Sequence, residues 1–261
     1  MAEGVFTLDL NEKFPRLSLP PIVEAAIHWQ ARADNPLELD ALRDALVEKL
    51  PKFTRSEPIQ GFGILAKLSS EESPVVRRQD RGFLGLRLSS DDDTDIVQFK
   101  RDGLAFSRVK NYEHWEPFVN SALEVWRVFI EIAAPLETQR LGVRFINHIA
   151  SATPETLGNY LRDPPTCAAN LPLKEFVYQS TFTVPTHPFG VRVIKVMQPP
   201  MQELQQSSGL FLDIDVFSTR AIPNDPADLE RALVQMRWLK NKVFFTLLTE
   251  NTVHAFEQGG R

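Results

Sequence analysis

The sequence predicts an α+β protein in which antiparallel sheet is covered by long helices and one plan of strand, helix, several strands and long helix occurs twice. Three observations carry that expectation. The order of elements over residues 20–134 recurs over 135–258, although the two halves share negligible residue identity. Asp102-Gly103 between two apolar runs is a hairpin signal. Two long amphipathic stretches each present one apolar stripe, and laying such a stripe across a sheet buries both.

Residues 1–19 form an extension. Pro20-Pro21 marks an entry turn, and the β-branched residues and Trp29 that follow predict a strand. Asn35-Pro36 predicts a helix start, with Asn35 as N-cap and proline in the first helical position. Leu39, Leu42, Leu46 and Leu50 recur at helical spacing, and Pro51 stops the helix. Shorter strands are expected over 59–68, 83–88, 96–100 and 104–109, separated by turns at 69–74, 91–95 and 102–103. A long helix follows from about Glu113, with Trp115, Phe118, Ala122, Trp126 and Phe129 as its stripe and Pro135 at its end. The second half opens with a strand over 140–149 and a short helix at Thr153-Pro154-Glu155. Strands over 176–184, 190–197 and 210–217 come next. The last element is a long helix with Asp225 as N-cap, Pro226 in first position, and a stripe of Leu229, Leu233, Met236, Leu239 or Lys240, Val243 and Leu247.

Composition removes whole classes of function. The chain has 261 residues, 43% of them hydrophobic and 24% charged, which is neither a disordered tail nor a fibre. One cysteine, Cys167, makes no internal disulfide and lacks a local catalytic partner. Residues 1–10 carry no signal-peptide pattern, and no apolar run is long enough to span a bilayer, so a cytoplasmic protein is expected. Twenty-nine Lys+Arg against 34 Asp+Glu give a net charge of −5, which argues against nucleic acid. The one dense basic piece, Arg77-Arg78 with Arg81, is the weak candidate for such binding, and Asp91-Asp92-Asp93 follows close by. That acidic run lacks the spacing of a calcium loop and reads as a hairpin tip.

Gly61-Phe62-Gly63-Ile64-Leu65-Ala66 fits the dinucleotide fingerprint. Pro58 before it and Ser69-to-Pro74 after it leave no strand–turn–helix, so it reads as two glycines in an edge or bent strand. Asp213-Ile214-Asp215 places two carboxylates on one strand face, a spacing that suits a divalent ion or an acid–base pair. The favoured reading is that the apolar face packs on the C-terminal helix and the aspartates meet water or arginines. On the 140–149 strand, Arg140, Gly142, Arg144, Ile146 and His148 share one face, and a mid-strand guanidinium such as Arg144 needs a carboxylate. A cluster of Glu24, Arg144, Asp213 and Asp215 is therefore expected, either as a pocket for a polar or anionic group or as an ion-pair network setting strand register. His28 and His148 occupy comparable places in the two long strands and join the candidate ligand residues. The five histidines show no metal spacing, and there is no phosphate loop and no nucleophile elbow. No catalytic residue, metal site or cofactor is assigned.

Four segments together carry a resemblance: Leu19-Pro20-Pro21-Ile22-Val23-Glu24, Arg140-Leu141-Gly142-Val143-Arg144-Phe145-Ile146-Asn147, Gly209-Leu210-Phe211-Leu212-Asp213-Ile214-Asp215, and Asn241-Lys242-Val243-Phe244-Phe245 with Thr249-Glu250. The chain resembles, over nearly its whole length, a sporadically distributed family of uncharacterised bacterial and archaeal proteins with no established activity. The resemblance implies an accessory or defence-associated role, including that of an antitoxin-like partner. The function expected is a non-enzymatic module that binds a protein partner, with sheet edges suited to strand addition. The alternatives are a small-molecule or nucleotide-binding protein or enzyme at the polar cluster, and a nucleic-acid-binding accessory protein at the arginines.

Overall fold

The computed structural model describes residues 6–35, 37–67, 75–150, 152–165, 171–198 and 209–259, without the side chains of residues 61–82 and 198. Pro36, Cys167 and the expected turn over 69–74 lie outside the described residues. The described chain is α+β, with nine strands and five α-helices. It forms two compact units, His28–Thr138 on the one hand, and Met1–Ile27 with Gln139–Arg261 on the other.

The His28–Thr138 unit contains the end of β1 (Ile22–Gln30), then α1 (Leu39–Lys49), β2 (Arg55–Lys67), β3 (Val75–Ser89), β4 (Asp95–Lys100), β5 (Gly103–Arg108) and α2 (Trp115–Ala133). β2, β3, β4 and β5 pair in sequence order, antiparallel throughout. Gly61 and Gly63 lie within outermost β2, where the register shifts between Ile59 and Gln60 and again between Gly61 and Phe62. They serve a bent strand and no phosphate turn. Gly103, at φ +148°, starts β5 where any Cβ would stand 2.0 Å from the Trp29 carbonyl oxygen. Only glycine permits that approach.

Alternation decides what this unit buries. Val97 and Phe99, Leu104 and Phe106, and Leu86 and Leu88 are all withdrawn from water, as are Phe118, Ala122, Val125, Trp126 and Phe129 of α2. Trp29 stacks on Trp126 at 5.0 Å, and Phe129 lies 4.8 Å from Phe99. Each buried valine, leucine or phenylalanine among them contributes about 1.5–3 kcal/mol relative to exposure.

One expectation fails here. α1 begins at Leu39 with Glu38 in the N-cap position, three residues after Asn35-Pro36 had suggested. Asn35 is committed elsewhere: its Nδ2 donates to the Ile132 carbonyl at 3.1 Å and its backbone N–H to that of Ala133. It closes the far end of α2, where Ala134 turns left-handed.

The other unit contains the start of β1, then β6 (Arg140–Ile149), a 3₁₀ turn, α3 (Leu157–Tyr160), β7 (Phe176–Thr183), β8 (Phe189–Gln198), β9 (Gly209–Ser218), α4 (Pro226–Leu247) and α5 (Glu250–Gln258). Its strand order is β6-β9-β8-β7, with antiparallel pairs throughout. Leu141, Val143, Phe145, Leu210, Leu212, Ile214 and Val216 form the buried face, and α4 lies against β6 and β9. Asp225 caps α4, its Oδ1 accepting from the amides of Ala227 (3.0 Å) and Asp228 (3.2 Å).

α5 is an element the sequence reading lacks. The helix breaks at Leu248 because residues distant in sequence supply alternative bonds. Arg162 donates to the Leu247 and Leu248 carbonyls, and Thr249 donates from N–H to Tyr160 and from Oγ1 to Asn159. Thr249 also caps α5 by accepting from the Thr252 amide.

Candidate functional site

β6 and β9 run antiparallel with Arg144 opposite Asp215 and Ile146 opposite Asp213; β8 places Arg192 opposite Asp215 from the other side. Period two puts Arg140, Arg144, Asp213, Asp215, Phe217 and Arg192 on one face of this sheet, opposite the face that meets α4. Arg144, Asp213 and Asp215 of the expected cluster therefore lie on one sheet face.

The pairs run diagonally. Arg144 grips Asp213 with both prongs, Nε to Oδ1 at 2.9 Å and Nη2 to Oδ2 at 2.6 Å. Arg140 donates from Nη2 to Asp215 Oδ2 at 2.9 Å. Both aspartates are buried, whereas 44% of the Arg144 side chain remains exposed. The Asp213 hydrogen bonds raise the Arg144 pKa against the opposing effect of burial, and the charges of Glu24 and Asp215 add to them. Glu24 therefore belongs to this cluster by its field on Arg144.

Phe217 lies within the arginine layer. The guanidinium of Arg140 is 4.6 Å from its ring centre and that of Arg192 is 5.8 Å. Gly190 makes this possible, since a Cβ there would meet the Phe217 ring at 2.6 Å. His148 stacks on Phe211 at 4.4 Å at the far end of the same face. His28 lies half-buried on β1 and is part of the other unit.

Sequence reasoning passed over Arg192. Its Nε and the Oδ1 of Asp215 are both buried and have no hydrogen-bond partner. The only signal was the alternation of Arg192 with Val191 and Val193, which marks its face but not the residue it opposes.

Other acidic and basic candidates resolve differently. In the His28–Thr138 unit, buried Asp95 accepts from Arg108 Nε at 2.7 Å and Nη2 at 3.0 Å, and from Lys52. Burial pushes its pKa up, but the bonds from Arg108 and Lys52 outweigh burial and leave it below the ordinary carboxylate value. The Asp91-Asp92-Asp93 tip is held by side chains of this unit. Asp91 accepts from Thr54, Asp93 from Arg55, and Asp92 from Ser90 Oγ and Thr94. Among the described residues no group of acidic, histidine or cysteine side chains is arranged to hold a metal. Arg77, Arg78 and Arg81 lie on β3, and their side chains are outside the described residues. Among those residues no helix is long and apolar enough to cross a membrane.

Arg140, Arg144, Arg192, Asp213 and Asp215 share this face, and Glu24 acts on Arg144 through its charge. Cavities among the described residues lie elsewhere, and one of about 510 Å³ is open and is lined by Pro15, Arg162, Phe245 and residues of α5. Comparison of the chain with protein-family models and with curated proteins finds no match, so the functional reading rests on this geometry.

Proposed function

We propose that the protein is a non-enzymatic, cytoplasmic module that binds a protein partner by accepting the partner's strand along β7. The observation that carries this reading is the composition of that strand. Phe176-Val177-Tyr178-Gln179-Ser180-Thr181-Phe182-Thr183 holds no charge, no proline and no glycine, and it is outermost in the order β6-β9-β8-β7. Val177, Tyr178 and Phe182 are 71%, 51% and 54% exposed. Natural edges are usually blunted by lysine, proline or a bulge, and none of these is present in β7. The place in a two-gene toxin–antitoxin or antiviral system rests on the family resemblance. In the same reading, the two units are copies of one plan, a curved antiparallel sheet with a long helix (α2 or α4) laid across it.

A photo-reactive phenylalanine analogue at position 182, expressed in the native host, tests the partner. The expected result is an adduct with one other protein, lost on Val177→Lys and not formed from position 234 on α4. No adduct from either position 178 or position 182 would refute the reading.

The unpartnered Asp215 Oδ1 and Arg192 Nε favour a second reading, a small polar ligand or substrate held at Glu24, Arg144, Asp213 and Asp215. Thermal-shift measurements against nucleotides and divalent ions test it. A rise in Tm that disappears with Arg144→Ala supports it, and a rise that survives that change removes the named pocket.

A further inference from the structure

We propose that β7 pairs with β7 of a second copy of this chain, antiparallel about a two-fold axis through Ser180. This deepens the reading of β7 as a pairing edge and rests on it. The ladder with β8 fixes which groups of β7 face outward. Val184 donates its N–H to the Phe189 carbonyl, and the pairing continues without a shift from Thr183↔Gly190 to Phe176↔Met197. In an antiparallel ladder the bonded residues alternate, so Phe176, Tyr178, Ser180 and Phe182 spend their backbone groups on β8. Val177, Gln179, Thr181 and Thr183 then point theirs away from the sheet. Among the described residues no strand receives them.

A two-fold axis perpendicular to the sheet keeps each side chain on its own face, so residue pairs across the axis share parity. Centred on Ser180, Val177 meets Thr183 and Gln179 meets Thr181, each twice, so all four outward residues are used. Four pairs with two bonds each make about eight hydrogen bonds. Centred on Gln179, Thr183 loses its partner within β7 and about six remain.

The side chains agree with that choice. In the Ser180 register Tyr178 stands opposite Phe182 in the non-bonded pairs, where side chains approach most closely, and aromatic cross-strand pairs are favourable. No like charges meet anywhere along the strand, since β7 has none. Tyr178 and Phe182 share the sheet face of Val191, Val193, Lys195 and Met197, their partners on β8 or near them. The Val191, Val193 and Met197 side of that face therefore continues into the second copy.

The full chain tests this by sedimentation across micromolar concentrations, together with oxidation of single-cysteine chains carrying Cys167→Ser. The expected result is a reversible dimer whose dissociation constant rises at least about tenfold with Phe182→Lys and with Tyr178→Lys. Ser180→Cys should oxidise to a covalent dimer, because two such residues in a non-bonded pair lie about 4.5 Å apart at Cα, within disulfide reach. Gln179→Cys should not. Unchanged circular dichroism shows that the variants remain folded. A chain that stays monomeric overturns the proposal. So does a dimer that ignores both lysine substitutions, or a disulfide from Gln179→Cys in place of Ser180→Cys. A monomer that still forms the position-182 adduct with another protein overturns self-pairing alone. A dimer whose only adduct is with its own chain upholds self-pairing and overturns the partner reading.

Discussion

Lys240 sits on the buried side of α4 with its Nζ 4.0 Å from the centre of the Phe145 ring. Burial, with Arg237 adding to it, lowers its pKa to about 7. Between that value and the ordinary lysine value near 10.4, the unfolded chain binds a proton that the folded chain does not, so stability rises with pH. Below pH 7 both states are protonated and the full burial cost is present. Urea unfolding at pH 7 and pH 9 should show this as a gain of up to about 1.4 kcal/mol per pH unit. Lys240→Met should raise stability at pH 7 and abolish the gain. Asp95 has the opposite dependence: its lowered pKa stabilises the fold above the unfolded value near 3.9, and that contribution is lost as pH falls through the folded value. Asp95→Ala should cost about 3 kcal/mol, since it leaves Arg108 unpaired, and should flatten the acid limb of a stability–pH profile. Asp213→Ala should cost less, about 2 kcal/mol, because half-exposed Arg144 recovers water. Arg144 with Asp213 and Asp215 was legible because period two settles which side chains share a face. Lys240 was ambiguous beside Leu239, because a stripe of 3.6 periodicity has soft edges.

Elements whose signals are local came through intact. The stripe of α2 and the Asp225-Pro226 start of α4 need only nearby residues, and both are found. Asp225→Ala should remove about 1 kcal/mol, a loss of about 2–4 °C in calorimetry. Elements whose ends depend on distant partners did not come through. Asn35 has the chemistry of an N-cap, but the fold uses it on α2. α4 and α5 read as one pattern because the residues that part them, Asn159 to Arg162, lie far earlier in the sequence. Gly190 shows how little side chain an element boundary can tolerate. Gly190→Ala should displace the Phe217 ring from its place beneath Arg140 and Arg192, lower the Tm, and leave the far-ultraviolet dichroism unchanged.

For the molecule as a whole, the alternation of strand and helix announced the architecture, and the strand order withheld the open edge. β7, β8 and β9 form a meander in chain order, but nothing local states that β6 joins beside β9 and leaves β7 outermost. Arg192 was missed for the same reason, since its partner depends on the register across that meander. Self-pairing gives the open edge a concentration signature: amide exchange at Val177, Gln179, Thr181 and Thr183 should slow as protein concentration rises, while that of Tyr178 and Phe182 stays constant. A set that shows no dependence on concentration would refute it. The far-reaching caps carry a further consequence, in the direction of biosynthesis. The bond from Asn35 to Ile132 spans 97 residues, and that from Arg162 to Leu248 spans 86. In both, the group that closes a helix end leaves the ribosome long before the helix does. The closing segment is already waiting as each long helix arrives, so neither helix has to emerge with its last carbonyls bare.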